Sequence, residues 1–449
     1  MIVTSLALQL LAAEPWRSHA GFDDLTKAQI VKGERIGYLD NGRVRLGVNL
    51  DLGGAITFLA KSIDAENMIN SYDWGRQIQM SHYSGPIPFA PNGKTPMESW
   101  AGLGWNPIQS GDAYGYRSRL LDYRNDGKQI YVRCIPMQWP LKNEPGECIF
   151  ETWITLSGRT AQVRSRLTNS RSDQTQYVGR DQELPAIYTN GPWHRLISYT
   201  GDRPFSNDSV TQIPAAFPWT RWQATENWAA LVNDKNEGLG VWLPNVTTFL
   251  GGFAGQPGAG RAKDFPTGYI APLRQEILDH NISYEYRYVL VLGSLQEIRR
   301  TVYEQPRPAI RPRFRFSKDR QNWWYWNAKD TGWPIKGELK ISLEENDPQV
   351  LSPTGFWKAS EAPRLEIEAA FTGKQTEGRI FWARLDSQSF TEEKSLPFSM
   401  VGDGRFRKYK VNLAASAEYR GVISALRWDP VSGGEAGSFV RVRSISLVK

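Results

Sequence analysis

The sequence has little of what most metal, thiol and nucleotide chemistries need. Its 449 residues include 2 cysteines and 4 histidines, which excludes zinc ribbons and fingers, disulfide-dense scaffolds and haem attachment. There is no Gly-x-x-x-x-Gly-Lys-Ser/Thr, no Gly-x-Ser-x-Gly and no His-Glu-x-x-His. P-loop phosphoryl transfer, nucleophile-elbow hydrolysis and zinc proteolysis therefore lack their signatures. Runs of like charge are also missing. A net charge of +7 is spread thinly, and the most basic stretch, Arg307 to Arg320, is interleaved with Pro and Phe. That pattern predicts no nucleic-acid partner and fits an anionic one such as a uronate or sulfated polysaccharide. Long apolar runs are scarce too. Ile2 to Ala13 has the length of a signal-peptide hydrophobic segment and is too short to span a bilayer, so the protein is expected to be secreted or periplasmic, with no membrane partner.

What the sequence does have is tryptophan: 18, as many as Tyr and as many as Phe. Planar aromatics beyond the needs of a core serve flat ligand faces, sugars or nucleobases, and the charge pattern favours sugars. Trp139, Trp153, Trp228 and Trp242 stand in strand-like runs and read as core. Trp74, Trp100, Trp105, Trp193, Trp219 and Trp222 stand in turn-rich segments. Helix signals are confined to Phe22–Lys32 and to Leu295–Tyr303, where apolar residues recur at helical spacing. Most of the rest is short alternating runs broken by Gly, Pro, Asn and Asp, which describes an all-β protein of sandwich type. Cys134 and Cys148 fall on two such runs, as a cross-strand disulfide or as two buried thiols.

Prolines in the segment 304–316 rule out a central strand there. The chain is thus expected to comprise an N-terminal segment (1–34), a large β domain (35–303), a Pro/Arg linker (304–316) and a smaller β domain (317–449).

The large domain opens NGRVRLGVNLDLGGAITFLAK and continues through ENMIN to GRQIQMSHYSG. This order resembles the start of a galactose-mutarotase-like β-supersandwich, a long antiparallel two-sheet fold that holds a sugar on a concave face. The later order QNWWYWNAKDTGW, FWARL, DGRFRKYKVNL, YRGVISALRWDP and VRVRSISL resembles the jelly-roll carbohydrate-binding modules of bacterial polysaccharide-degrading enzymes. The second resemblance implies a structural calcium in the C-terminal domain, held by Asp429 or Glu435; no cofactor is otherwise expected. The first implies an Arg, a His and a Glu at a sugar ring oxygen, roles open to Arg76, His82 and Glu183. The family's base lies nearer the end of the domain, a departure that speaks against simple mutarotation.

Four segments carry candidate chemistry. In GRDQELPAIYTNGPWHRL, Asp181 and Glu183 are two apart and share a strand face, a pair able to split its pKa values into an acid and a base. Pro185 predicts a bulge beside them, and Tyr188, Asn190, Trp193 and His194 are sugar-binding types. In DWGRQIQMSHYSGP, strand alternation puts Arg76, Ile78, Met80 and His82 on one face and Gln77, Gln79, Ser81 and Tyr83 on the other. The segment WAGLGWNPIQSGDAYGY reads as a loop offering Trp105, Gln109 and Asp112, and FPWTRWQATENW offers Trp219 and Trp222. The Gly-rich stretch Gly251 to Gly260 reads as a flexible loop.

These residues fit a glycoside hydrolase acting on a polysaccharide or oligosaccharide as a monomer, with Glu183 and either Asp181 or Asp112 flanking the bond and His82 and Arg76 orienting it. A polysaccharide lyase would use Tyr83 or His82 as base, with Arg76 or Asn190 neutralising a uronate. A non-catalytic carbohydrate-binding protein and a sugar epimerase are the remaining alternatives.

Overall fold

The computed structural model describes residues 29–31, 34–63 and 66–449. The apolar run Ile2 to Ala13 lies outside them, as does most of the expected helix Phe22–Lys32. The described part of that helix, Gln29–Val31, is instead a strand antiparallel to Glu34–Asp40; β-branched Ile30 and Val31 suit a ladder better than a helix. The other expected helix, Leu295–Tyr303, forms. Ser294 and Glu297 close a capping box at its start, and Ile298 and Val302 bury against Trp228 and Trp242.

The described residues are otherwise nearly all β. They divide into two compact units: the described residues up to Thr175 with Gln182–Leu273 and His280–Pro306, and Gln176–Asp181 with Arg274–Asp279 and Arg307–Lys449.

The first unit contains a four-stranded antiparallel sheet and two larger ones of nine and seven strands. The middle of the nine-stranded sheet is Cys148–Ser157, Thr160–Asn169 and Ser283–Ser294. Along Ser283–Ser294 burial alternates, with Tyr284, Tyr286 and Tyr288 inward and Glu285 and Arg287 outward, the pattern of a sheet with one solvated face. Trp153 belongs to that outer face, not to the core: the Arg164 guanidinium lies 3.7 Å from its ring centre. The seven-stranded sheet runs Thr220–Gln223, Thr248–Ala254, Thr267–Glu276, Arg180–Asn190, Gln79–Ser81, Pro107–Ile108, Met137–Gln138. Gly251 to Ala254 thus lie in a strand where a loop was expected. The inner faces of the two large sheets meet: Thr152 Oγ1 donates to Met80 Sδ at 3.7 Å, and the His82 ring packs edge-on against Phe150, Tyr284 and Tyr286.

Both cysteines are free and buried. Cys134 stands opposite Phe150 in the ladder, two residues out of register with Cys148.

The second unit has two six-stranded antiparallel sheets around a core that includes Trp323, Trp382, Trp428, Phe371 and Ile445. Arg313–Arg315 is a strand paired with Phe439–Val448. The alternation of Val440, Val442, Ile445 and Leu447 inward is offset once, where the register against Arg364–Thr372 shifts.

Candidate active site

Alternation along Gln79–Ser81 and its flanks sends Met80 and His82 inward and leaves Ser81 and Tyr83 on the outer face of the seven-stranded sheet. Glu183 pairs with Ser81, and pairing resumes at Ala186 and Gln79. Three steps on one strand against two on the other make a bulge at 184–185, where Pro185 has no N–H to give the ladder. The bulge brings Glu183, Ala186 and Tyr188 onto one face despite their odd spacing.

Three neutral hydroxyls surround the Glu183 carboxylate. Tyr83 Oη donates to Glu183 Oε2 at 2.9 Å, Tyr269 Oη donates to Oε1, and Ser81 Oγ donates to Tyr83 Oη at 3.0 Å. Burial pushes the Glu183 carboxyl above its ordinary value, against the lowering effect of hydrogen bonds from Tyr269, Ser81 and Tyr83. Burial first, and then the Glu183 charge, hold the phenols of Tyr83, Tyr188 and Tyr269 well above theirs. The tyrosines therefore stay protonated and donating, while the glutamate is poised to exchange a proton.

Aromatic rings extend from this group. Tyr188 packs 4.8 Å from Tyr269, Trp219 4.9 Å from Tyr269, and Phe217 4.9 Å from Trp219. Trp219 settles onto the sheet because residue 252 is glycine; a Cβ there would lie 2.9 Å from Trp219 Cε3 and 2.1 Å from the Ala216 carbonyl oxygen. Asp73 adds a second carboxylate, one whose charge reaches Tyr188. It bridges Arg76 at 3.0 Å, and the Arg76 guanidinium lies 4.9 Å from the rings of both Tyr72 and Phe265. Arg76 Nη1 also donates to the Phe265 carbonyl at 2.7 Å.

Of the residues the sequence singled out, Glu183, Tyr83, Tyr188, Trp219 and Arg76 come together here. Others have structural roles. His82 is buried between the sheets, its Nδ1 3.2 Å from Gln182 Oε1, and burial lowers its pKa to about 4; it stays neutral and out of a substrate's reach. Asp112 is buried and accepts from the backbone N–H groups of Tyr114, Tyr116 and Asn143 at 2.9, 2.9 and 2.7 Å. It shapes a loop and is no catalytic carboxylate. Gln79 and Gln109 spend their amides on Trp74, Ser110, Gly53 and Met80, and Asn190 donates to the Asn67 carbonyl. Trp105 is wholly buried beneath the Arg171 guanidinium, Trp193 is buried, and Trp222 stacks on Phe249. None of these three presents a face to a sugar. His194 lies 3.5 Å from Asp234 and against Phe253. Asp181 groups with the other unit.

Sequence reasoning missed Tyr269, Asp73, Phe217 and Phe265. Tyr269 is almost fully buried and reads from its strand as core; only its hydroxyl reaches the site. Asp73 had a signal, its place three residues before Arg76.

In the C-terminal unit both oxygens of Asp429 are bound by Arg427 at 2.7 and 2.6 Å, and Glu435 Oε2 accepts the Lys374 N–H. A carboxylate saturated by a guanidinium does not fit a calcium ligand. Among the described residues, no group of three or more His, Cys, Asp or Glu is placed to hold a metal ion, and no helix is long and apolar enough to cross a membrane.

No family model matches the chain, and no curated protein matches it in sequence. Solved structures similar to it include a galactose mutarotase-like protein from Lactobacillus casei, at 13% identity and a TM-score of 0.34, covering 57% of this chain and 99% of that one. A GH36 alpha-galactosidase from Geobacillus stearothermophilus matches at 10% identity and 0.35, covering 60% of this chain and 41% of that one. A xylan-binding module, CBM86, from Roseburia intestinalis matches at 14% identity and 0.22, covering 31% of this chain and 95% of that one.

Proposed function

We propose that the protein is a carbohydrate-active enzyme that cleaves glycosidic bonds on the outer face of the seven-stranded sheet, with Glu183 as the proton-donating group. The observation that carries this reading is the Glu183 carboxyl itself, raised by burial and, among the described residues, hydrogen-bonded by neutral donors, beside a tilted stack of Tyr188, Tyr269 and Trp219. Glycoside hydrolysis needs one carboxyl that stays protonated and another that stays charged. Glu183 suits the first role, and Asp73, 3.0 Å from Arg76, offers the second carboxylate. Tyr188 and Trp219 supply ring faces for stacking, and the apolar run Ile2 to Ala13 supports export.

A second reading, a lyase, draws on Tyr83 bonded directly to Glu183, a tyrosine and carboxylate able to pass one proton between them. Incubation with a panel of neutral and uronate-containing polysaccharides separates the two. New reducing ends without unsaturated-uronate absorbance identify a hydrolase; that absorbance identifies a lyase. Glu183→Gln is expected to lower turnover by about 10²–10⁴-fold with the fold intact, and full turnover by that variant would refute the assignment.

A further inference from the structure

The hydrogen bond between Tyr83 and Glu183 depends on a side chain that faces away from it. Successive residues of Arg180–Asn190 point to opposite faces of the sheet. Gln182 is fully buried on the inner side, and Glu183 is half-buried on the outer one. The partner strand Gln79–Ser81 ends two residues before Tyr83, and its pairing with Arg180–Asn190 runs no further than Ser81 and Glu183. Beyond that point the Gln182 side chain takes the part of a neighbouring strand. Its Oε1 accepts the Tyr83 main-chain N–H at 2.9 Å, and its Nε2 donates to the Tyr83 carbonyl at 2.8 Å. One amide thus holds both main-chain groups of a single residue, the two-point grip that an antiparallel ladder gives.

The amide is itself oriented. A carbonyl only accepts, so the Tyr83 carbonyl fixes which end of the Gln182 amide is nitrogen. The oxygen end then lies 3.2 Å from His82 Nδ1, which must carry the ring proton. Burial keeps that ring neutral, its pKa lowered to about 4, so the contact persists at neutral pH. His82 is anchored in turn. Its N–H donates to the Pro107 carbonyl at 3.3 Å, and its carbonyl accepts from Asn106 Nδ2 at 2.9 Å. Its ring is wedged against Phe150, Tyr284 and Tyr286 of the nine-stranded sheet. Breaking any of these buried bonds leaves a polar group without water to replace its partner, so the arrangement keeps one geometry. From the residue gripped in this way, the Tyr83 hydroxyl reaches Glu183 Oε2 at 2.9 Å.

We propose that Gln182 is a positioning residue: by gripping the Tyr83 main chain it sets the Tyr83 hydroxyl on the Glu183 carboxyl, and His82 orients its amide. Donor and acceptor are then tied to one strand, Glu183 by its own main chain and Tyr83 by the side chain one residue earlier. The benefit to turnover rests on the reading of Glu183 as the proton-donating group. Tyr269 bonds Glu183 from another strand and stays in place when the grip is removed.

The test is infrared pH titration of the full chain without substrate, read at the carboxyl band that Glu183→Gln deletes. A hydroxyl donor favours the ionised carboxylate, so Tyr83→Phe should raise the midpoint by about one pH unit. Gln182→Ala should raise it by about half a unit or more, and so should Gln182→Met, which keeps the volume without the amide. Combining Gln182→Ala with Tyr83→Phe should give the midpoint of Tyr83→Phe alone, because Gln182 acts through the hydroxyl already removed. His82→Phe, which keeps a packed ring, should give a smaller rise. Thermal midpoints confirm that the variants are folded. The proposal is overturned if the band midpoint of a folded Gln182 variant equals the parent's or falls, or if the two shifts add in the double variant. Where neither Gln182 variant folds, His82→Phe decides, and an unchanged midpoint there overturns the proposal. Full turnover by Glu183→Gln would overturn the activity assigned to Glu183 and leave these midpoints where they are, so the two failures are distinct.

Discussion

Replacing Tyr269 by Phe tests the chemistry assigned to Glu183 while keeping the ring that packs on Tyr188 and Trp219. The substitution removes one hydroxyl from the carboxylate and nothing from the platform. A hydrogen bond to a charged acceptor is worth about 1.5–3 kcal/mol net. Glu183 is half-buried, so water replaces part of the loss and the lower end applies, and 1.36 kcal/mol corresponds to one pKa unit. The bond favours the ionised form, so its removal adds to the upward push of burial and raises the Glu183 pKa by about one further unit. Infrared pH titration reads this directly, as the midpoint of the carboxyl band that Glu183→Gln deletes. In kinetics, if Glu183 gives the proton, the alkaline limb of kcat/KM moves up by about one unit; if it takes the proton, the acid limb does. A band midpoint that stays in place or moves down would refute the network.

Asp112→Ala leaves the N–H groups of Tyr114, Tyr116 and Asn143 without their acceptor. It should cost about 1–3 kcal/mol in urea unfolding with turnover per folded molecule unchanged; lost turnover at parental stability would restore a catalytic Asp112. Asp330→Ala leaves Arg320 Nε and Nη2 without their acceptor while Asp279 still pairs Nη1, and should cost about 1–3 kcal/mol; a denaturation midpoint equal to the parent's would show that the buried ions do not hold this unit together. His82 and Glu276 should give opposite pH slopes. Folded His82, lowered to about 4 from 6.5, adds stability that is lost as pH falls through that window. Folded Glu276, buried and pushed up to about 7 from 4.5, keeps a proton that the unfolded chain sheds, so its contribution is lost as pH rises through 4.5 to 7. Thermal midpoints from pH 4 to 8 should therefore rise more steeply with pH in Glu276→Gln and less steeply in His82→Phe, and identical slopes in the two variants would refute both environments.

The sequence made strands legible wherever burial alternates, as along Ser283–Ser294, and it made the Leu295–Tyr303 helix legible through its period. It failed at Gly251 to Ala254, where glycines that look like loop residues are there so that Trp219 and its loop can lie on the strand. In the candidate site, the Glu183 segment was legible because Pro185 breaks a strand beside carboxylates and aromatics. Which of those residues face out was not. The bulge shifts the face by one residue, and that shift depends on pairing with Gln79 and Ser81, about a hundred residues earlier. The same tertiary context turned His82, Trp105 and Asp112 from sugar-binding types into buried structural ones. Residue type announces what a side chain is able to do, and only packing decides whether a substrate can reach it.

How each buried carboxylate is compensated separates structure from chemistry in this chain. Glu226 is fully buried and receives the Arg299 guanidinium, the Trp228 indole N–H, the Tyr303 hydroxyl and a backbone N–H. It has four kinds of donor, one of them a permanent cation. Glu151 likewise takes Arg166 and Tyr131. Glu183 is different: among the described residues, no Lys or Arg bridges it, and its donors are hydroxyls that stay neutral. Lack of a cation alone is not sufficient evidence, because Glu276 is also bound by neutral groups, the Asn322 amide and a backbone N–H. Glu276, however, is sealed from solvent, 5% exposed, and no substrate atom can approach it. Glu183 combines the two conditions a proton donor needs, a carboxyl kept from ionising too readily and a position on an open sheet face among stacking rings. A cation introduced beside it should abolish that combination. Ser81→Lys, opposite it in the ladder, should pull the Glu183 carboxyl down and cost turnover at neutral pH while the aromatic platform still binds, and unchanged turnover in a folded Ser81→Lys variant would return Glu183 to the structural class.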